Sequence, residues 1–358
     1  MRRFDLWLLL AVAGIAACSY LAQNSTARAL ANPGFANRQV VWLAVGGMLM
    51  LLFALADYRV LVRFSPLFYV ATLVVLAALF VVTPLRAGTQ RWLTLGSYTI
   101  QPSEFARVVT ILAVAALAGE HRQAQLDLKT VGRLLAVAAA PALLILLQPD
   151  LGTAITLGPI LLAALWLGGL PWKVWAGLVA AGVVLVGAAW MWVLKPYQRE
   201  RIATFIDPER APYSSGYQQR QSKIAVGSGE VSGKGLHSGT QSQLRFLPAQ
   251  HTDFIFAVWA EETGFFGSAL LLAAYTLAVV RVFVVALSAR DRTGAVFAGC
   301  YGLVLATQVL VNIGMVTGVA PTTGITLPLL SYGGSSILAT CISLGIVQSI
   351  WRLRYANV

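Results

Sequence analysis

Pro66-Leu-Phe-Tyr-Val-Ala-Thr-Leu-Val-Val-Leu-Ala-Ala-Leu-Phe-Val-Val-Thr-Pro84 contains no charged residue. A bilayer's hydrocarbon core needs about 20 consecutive apolar residues to be crossed by a helix. A run of this length reads as a transmembrane span. Working outward, comparable runs lie near 5–22, 39–57, 103–119, 132–148, 152–169, 172–194, 263–288, 294–315 and 332–350. The sixth is the weakest, being short and carrying Gly152, Gly158 and Pro159. The pattern predicts an all-α, polytopic transmembrane bundle of about ten spans. Residues 1–358 form one membrane domain, with a large extracytoplasmic loop over 195–252 between spans seven and eight.

Composition agrees. Of 358 residues, 58% are hydrophobic and 11% charged, against roughly 25% charged in a soluble domain. The net charge of +12 sits mostly at span ends, where anionic lipid headgroups meet it, and so argues for membrane lipids rather than nucleic acid. Cys18, Cys300 and Cys341 fall inside apolar runs and read as packing residues. His121, His237 and His251 have no metal-ligand spacing, which argues against a His/Cys metal centre. Met1-Arg-Arg-Phe-Asp leads into an apolar run too long for a signal-peptide core, with no clean cleavage site, so the first helix is read as retained.

Orientation follows from basic residues. With the N-terminus inside, twelve lysines and arginines face inward, while the short outer loops hold Arg28, Arg38, Arg86 and Arg91. That positive-inside bias puts both termini in the cytoplasm and the 195–252 loop outside. Two outer stretches differ from ordinary loops. Arg91–Glu104 is amphipathic and reads as re-entrant or interfacial, with Trp92 and Tyr98 suited to the headgroup level. Gly318–Ser336 is apolar yet full of helix breakers. Non-helical backbone at membrane depth survives only in protein or along a wet cavity, so a cavity is expected there.

Several residues carry candidate chemistry. Glu104 and Arg107 lie one turn apart in span four and read equally as a structural pair or a substrate contact. Asp150, in Gln148-Pro-Asp-Leu-Gly-Thr153, caps the short sixth helix or binds a headgroup or cation. Gly227-Ser-Gly-Glu-Val-Ser-Gly-Lys-Gly235 resembles a phosphate loop but fails as a Walker A motif, because Gly235 replaces the magnesium-binding hydroxyl residue. A basic loop touching pyrophosphate stays open. Asp253, Glu261 and Glu262 enter span eight. On a continuous helix Asp253 and Glu261 would lie about 80° apart, with Glu262 pointing away. For Asp253, capping and catalysis stand level on local sequence alone.

Taken together, Gln90-Arg-Trp-Leu, Gln101-Pro-Ser-Glu, Gln148-Pro-Asp-Leu-Gly-Thr, His251-Thr-Asp-Phe-Ile-Phe-Ala, Pro321-Thr-Thr-Gly-Ile and Leu329-Leu-Ser-Tyr-Gly-Gly-Ser-Ser resemble the SEDS family (shape, elongation, division and sporulation). The match runs in order across nearly the whole chain. Gly239-Thr-Gln-Ser-Gln-Leu-Arg-Phe-Leu-Pro resembles the elongation branch more than the division branch. Ala249 stands where the family usually has Glu, and Glu230 stands in a stretch that is commonly glycine.

The resemblance implies a peptidoglycan glycosyltransferase of the inner membrane that polymerises lipid II outside the cell. It would act beside a class B penicillin-binding protein and the elongation complex. Asp253 becomes the expected base, and catalysis then outweighs capping. Trp92, Glu104, Arg107, Asp150, Lys234, Gln241, Thr323 and Ser331 become the expected substrate contacts. Basic side chains at the outer mouth, or a divalent cation such as Mg2+ or Mn2+, would balance the pyrophosphate. The alternative is a lipid II flippase, since many spans with buried charges suit a transporter too. A scaffold that only recruits the synthase is a third reading.

Overall fold

The computed structural model describes residues 4–32, 34–82, 91–95, 98–120, 125–193, 196–207 and 215–355. Gln90, Arg86 and His121 lie outside them. Asp5 starts α1 (Leu6–Ala29), its carboxylate accepting the Leu8 amide at 3.1 Å. That satisfies one of the amides a helix start leaves without an internal partner. There follow α2 (Gly34–Leu55), α3 (Tyr58–Arg63) and α4 (Ser65–Val82), the last being the stretch read first. A two-stranded hairpin, β1 (Leu93–Leu95) and β2 (Tyr98–Ile100), then leads into α5 (Pro102–Glu120). Leu93 pairs with Ile100 and Leu95 with Tyr98. The amphipathic stretch before α5 thus holds a short antiparallel strand pair, the only one among the described residues.

Next come α6 (Leu128–Leu147), α7 (Leu151–Ile155), α8 (Gly158–Leu167) and α9 (Trp172–Ala188), which ends in a π turn over Ala189–Val193. The break between α7 and α8 falls where Gly158 and Pro159 stand, and Pro159 sits in the first turn of α8. A proline costs little there because its missing amide would have had no helical partner. After α10 (Pro196–Ile206), α11 (Ser215–Ser228) and α12 (Thr240–Gln243) come the long helices α13 (Ile255–Ser288), α14 (Arg292–Thr317) and α15 (Gly334–Leu353). Among the described residues eight helices are long and apolar enough to span a membrane. The shorter apolar helices at Leu151–Leu167 and Trp172–Val184 supply the other two expected spans. The chain is an all-α multi-pass membrane protein.

Three helices, α5, α14 and α15, form the enclosed centre, with α1, α2, α4, α8 and α13 packed around them. α9 lies outermost, with Val179, Val183 and Val184 largely exposed. The described residues of the stretch expected as loop, 196–207 and 215–252, are largely helix and turn. α11 docks on α13 and α14, and its Ser222 hydroxyl donates to the Val316 carbonyl at 2.8 Å.

α13 is not one continuous helix. Gly264 adopts φ 64° and ψ −157°, a conformation open only to glycine, and an added Cβ would collide with the Gly233 amide. The transmembrane piece therefore begins just after 264, near the predicted start of span eight. Residues 255–263 form a separate, buried helix lying over it. This changes the geometry expected for the three carboxylates. Asp253 precedes the helix, and Glu262 does not point away but is buried against the Ser25 hydroxyl.

Candidate functional site

At one end of the bundle, α5, α7 and α15 all begin, and the non-helical stretch 318–333 crosses between them. They enclose a cavity of about 670 Å³. The helix breakers of 318–333 serve this wall, because Thr322, Thr323, Gly324, Ile325 and Thr326 line it without a helix. Gly152 permits the close approach: a Cβ there would lie 2.6 Å from the Thr323 carbonyl oxygen.

Glu104 and Arg107 meet on this wall, with Arg107 Nη2 2.6 Å from Glu104 Oε2. Both are nearly buried, at 6% and 4% exposure. Their helical spacing makes the pair, and the cost of exposing charge to lipid turns it inward. Asp150 caps α7, accepting from the Thr153 amide at 3.3 Å and the Thr153 hydroxyl at 2.9 Å. It also takes the Gln101 amide at 2.8 Å and pairs with Arg91 at 3.2 Å. Asp150 is therefore a cap and a cavity residue at once. Trp92 lines the same cavity.

Asp253 is half-buried on this wall. The cap position of α13 belongs to Phe254, not to Asp253. The main chain around Asp253 is held through three consecutive carbonyls. The His251 carbonyl accepts from the Tyr332 amide at 2.8 Å and from Gln23 Nε2 at 3.0 Å. The Thr252 carbonyl accepts from the Ser331 hydroxyl at 2.7 Å. The Asp253 carbonyl accepts from Asn312 Nδ2 at 3.1 Å, and the same amide donates to the Ile325 carbonyl at 2.8 Å. Four residues from three elements distant in sequence thereby fix where the carboxylate starts. His251 itself packs against Phe35 and Tyr332, with ring centroids 4.9 and 5.9 Å away. Burial lowers its pKa from the usual 6.5.

Of the expected contacts, Trp92, Glu104, Arg107, Asp150 and Thr323 thus share the cavity with Asp253. Ser331 stands behind the wall and clamps the Thr252 carbonyl. Lys234 and Gln241 are placed elsewhere. The Lys234 ammonium lies 2.8 Å from buried Glu261, which also accepts from the Gln241 amide at 2.9 Å and the Ser242 amide at 3.3 Å. Glu261 thus gathers the orphan amides of α12 and a lysine into one buried cluster. The phosphate-loop-like stretch is likewise committed. The amides of Lys234 and Gly235 donate to the carbonyls of Glu261 and Glu262, at 3.1 and 3.0 Å.

The cavity also contains Gln198 from α10 and Gln308 from α14, which sequence reading passed over, and Ser335 and Ser336 from α15, at the end of the stretch where a cavity was expected. Asn312, one turn beyond Gln308, is fully buried. The signal was there, as two amides spaced i,i+4 inside an otherwise apolar span.

A polytopic helical bundle with one polar cavity at its end defines a class, and the comparisons name it. The profile of the FtsW, RodA and SpoVE family, described as cell cycle protein, matches residues 2–356, and the chain belongs to that family. It is similar to the peptidoglycan glycosyltransferase MrdB of Escherichia coli K12, 42% identical over 321 residues that cover 88% of this chain and 85% of that protein. It is also similar to a probable peptidoglycan glycosyltransferase FtsW of Coxiella burnetii, at 33% identity over 97% of this chain and 96% of that one. Among solved structures, a chain from a peptidoglycan synthase complex that coordinates polymerization and crosslinking is similar over 99% of both chains, with 34% identity and a TM-score of 0.84. The rod shape determining protein RodA of Thermus thermophilus is similar over 99% of both chains, with 30% identity and a TM-score of 0.73.

Proposed function

We propose that this protein is a peptidoglycan glycosyltransferase that polymerises lipid II into glycan strands during elongation, beside a class B penicillin-binding protein that cross-links them. Family membership over the full chain supports the activity. The observation that carries the site is the convergence of Asp253, Arg107, Glu104 and the start of α15 on one cavity at one end of a membrane bundle. A lipid-linked sugar reaches such a cavity without leaving the membrane surface. We place that end outside the cytoplasmic (inner) membrane, with both termini inside.

The transfer joins a sugar 4-hydroxyl to an anomeric carbon with inversion. The hydroxyl oxygen forms the new bond to the carbon. The bond from that carbon to the pyrophosphate oxygen breaks, and its electron pair leaves with the pyrophosphate. Asp253 accepts the hydroxyl proton as general base. Its fixed main chain supports this role, because a base must be held within hydrogen-bond reach of the proton it takes. Trp92 and Thr323 offer stacking and hydrogen-bonding surfaces to the sugars. The donor set does not fit a Mg2+ or Mn2+ ion held by protein alone. Among the described residues no three His, Cys, Asp or Glu side chains converge, and Glu104 and Asp150 are already paired with arginines. No step is therefore assigned to a metal.

Purified protein incubated with lipid II and its class B partner tests the reading. Glycan strands are expected, whereas lipid translocation without polymer would establish the flippase instead. Orientation has its own test. A thiol placed at exposed Val231 should label from outside intact cells, and one at Gln125 only after permeabilisation. The reverse pattern would overturn the topology.

A further inference from the structure

The helix α15 starts on the cavity wall without any of the usual neutralising devices. Its cap residue is Gly333, which makes no side-chain cap hydrogen bond, and its first turn carries no acidic residue. The first α15 amide to find a helical carbonyl is that of Ile337, 3.0 Å from the Gly333 oxygen. The amides of Gly334, Ser335 and Ser336 have no partner among the described residues, although Ser335 and Ser336 are each only 6% exposed. The other helix starts on this wall are compensated. α7 is capped by Asp150, and α5 carries Glu104 in its first turn.

A second observation points the same way. Gln308 is 2% exposed, lines the same cavity, and its amide makes no hydrogen bond among the described residues. Buried amides are ordinarily satisfied, so one left open toward a cavity awaits a ligand. Charge identifies the ligand's sign. Both guanidinium groups on the wall face carboxylates, Arg91 against Asp150 and Arg107 against Glu104. The start of α15 is then the uncompensated positive end of the described wall, and a helix start with free amides is an anion site.

We propose that the first-turn amides of α15, flanked by Gln308 and Arg107, seat the pyrophosphate of the lipid-linked donor and hold it as it leaves. This rests on the polymerase reading above. The seat would present N–H donors aimed where negative charge gathers as the carbon–oxygen bond breaks, and would need no side-chain rearrangement to do so. Asp253 and the seat line one cavity, so a sugar lying between them can be attacked from the Asp253 side while the pyrophosphate leaves on the opposite side, as inversion requires.

The test fills the seat from within. An added Cβ on Gly333 meets nothing closer than the Ser336 Cβ at 3.8 Å, and its φ of 166° is ordinary extended backbone, so Gly333→Asp fits. Its carboxylate would accept from the Ser335 or Ser336 amide as a normal N-cap. Binding of inorganic pyrophosphate to the purified full chain is measured by calorimetry, with thermal unfolding alongside. Gly333→Asp should unfold at or above the wild-type temperature yet bind pyrophosphate at least about tenfold more weakly. The steric control Gly333→Ala should stay within about threefold.

Wild-type affinity in Gly333→Asp, an equal loss in Gly333→Ala, or no pyrophosphate binding by the wild type would each overturn the seat. Should Gly333→Asp not fold, Gln308→Leu decides: weaker binding supports the seat, and unchanged binding overturns it. The two readings fail separately. A wild-type protein that makes no glycan from lipid II sinks the polymerase reading. One that makes glycan while Gly333→Asp binds pyrophosphate normally sinks the seat alone.

Discussion

Replacing Asp253 by Asn separates chemistry from architecture because the structure removes the competing explanation. Had Asp253 capped α13, asparagine would have served almost equally well and activity would have survived. The cap position is Phe254, and the clamps on this segment act on the carbonyls of residues 251 to 253. Those clamps act on main-chain carbonyls that asparagine keeps, and asparagine has nearly the same shape, so Asp253→Asn should stay folded. Loss of general-base assistance is worth roughly 10²- to 10⁴-fold in rate. That corresponds to about 3 to 5 kcal/mol of barrier. The assay is single-turnover polymerisation of fluorescent lipid II, run with thermal unfolding and binding to the class B partner. A folded, partner-binding variant with a rate down by at least about a hundredfold is expected. Asp253→Glu, whose carboxyl lies roughly one bond further out, should lose activity too, since a misplacement of about 1 Å can cost about a hundredfold. More than about a tenth of the wild-type rate in Asp253→Asn would refute the base assignment.

Other outcomes follow from neighbouring contacts. Asn312→Leu removes the donor shared by the Asp253 and Ile325 carbonyls, so it should cost about 1 to 3 kcal/mol in unfolding free energy and lower the polymerisation rate constant more than it weakens substrate binding. Glu230→Gly should raise the unfolding temperature, because Glu230 holds φ 46° and a left-handed residue with a Cβ costs about 1 to 2 kcal/mol relative to glycine. His251 is buried with its pKa below 6.5. The folded state therefore binds fewer protons than the unfolded one, and the stability it contributes above pH about 6.5 should fade as the pH falls below that value. Unfolding scans from pH 8 to 5 on wild type and His251→Gln should show a smaller acid loss in the variant.

Spans were legible because membrane insertion writes itself into composition: α4 could be read from an uncharged run alone. The pairing of Glu104 with Arg107 was legible too, as local helical spacing and the cost of charge in lipid both act within one element. The pairing of Leu93–Leu95 with Tyr98–Ile100 and the helices α10, α11 and α12 were harder, because polar segments between spans carry no span-length signal. The role of Lys234 was lost for a sharper reason. Its partner Glu261 is 27 residues away, and the break at Gly264 turns 255–263 into a separate helix that brings the two together. No periodicity announces a single positive φ. Glu230 shows the reverse case. The resemblance leads one to expect glycine in that stretch, and the left-handed backbone of Glu230 supplies a physical reason for it.

The placement of charge assigns the remaining roles. Three carboxylates line the cavity: Glu104, paired with Arg107; Asp150, held by Arg91, Gln101 and the start of α7; and Asp253. Proton transfer is assigned to Asp253 because its main chain is clamped where the carboxylate meets the cavity. The same pairings neutralise both arginines, so the arriving pyrophosphate meets its strongest uncompensated positive potential at the free amides of α15. One wall then holds a base at the edge of a main-chain clamp, and the same cavity holds an anion seat at a bare helix start. Between them lies room for the two sugars and the bond that passes from one oxygen to another.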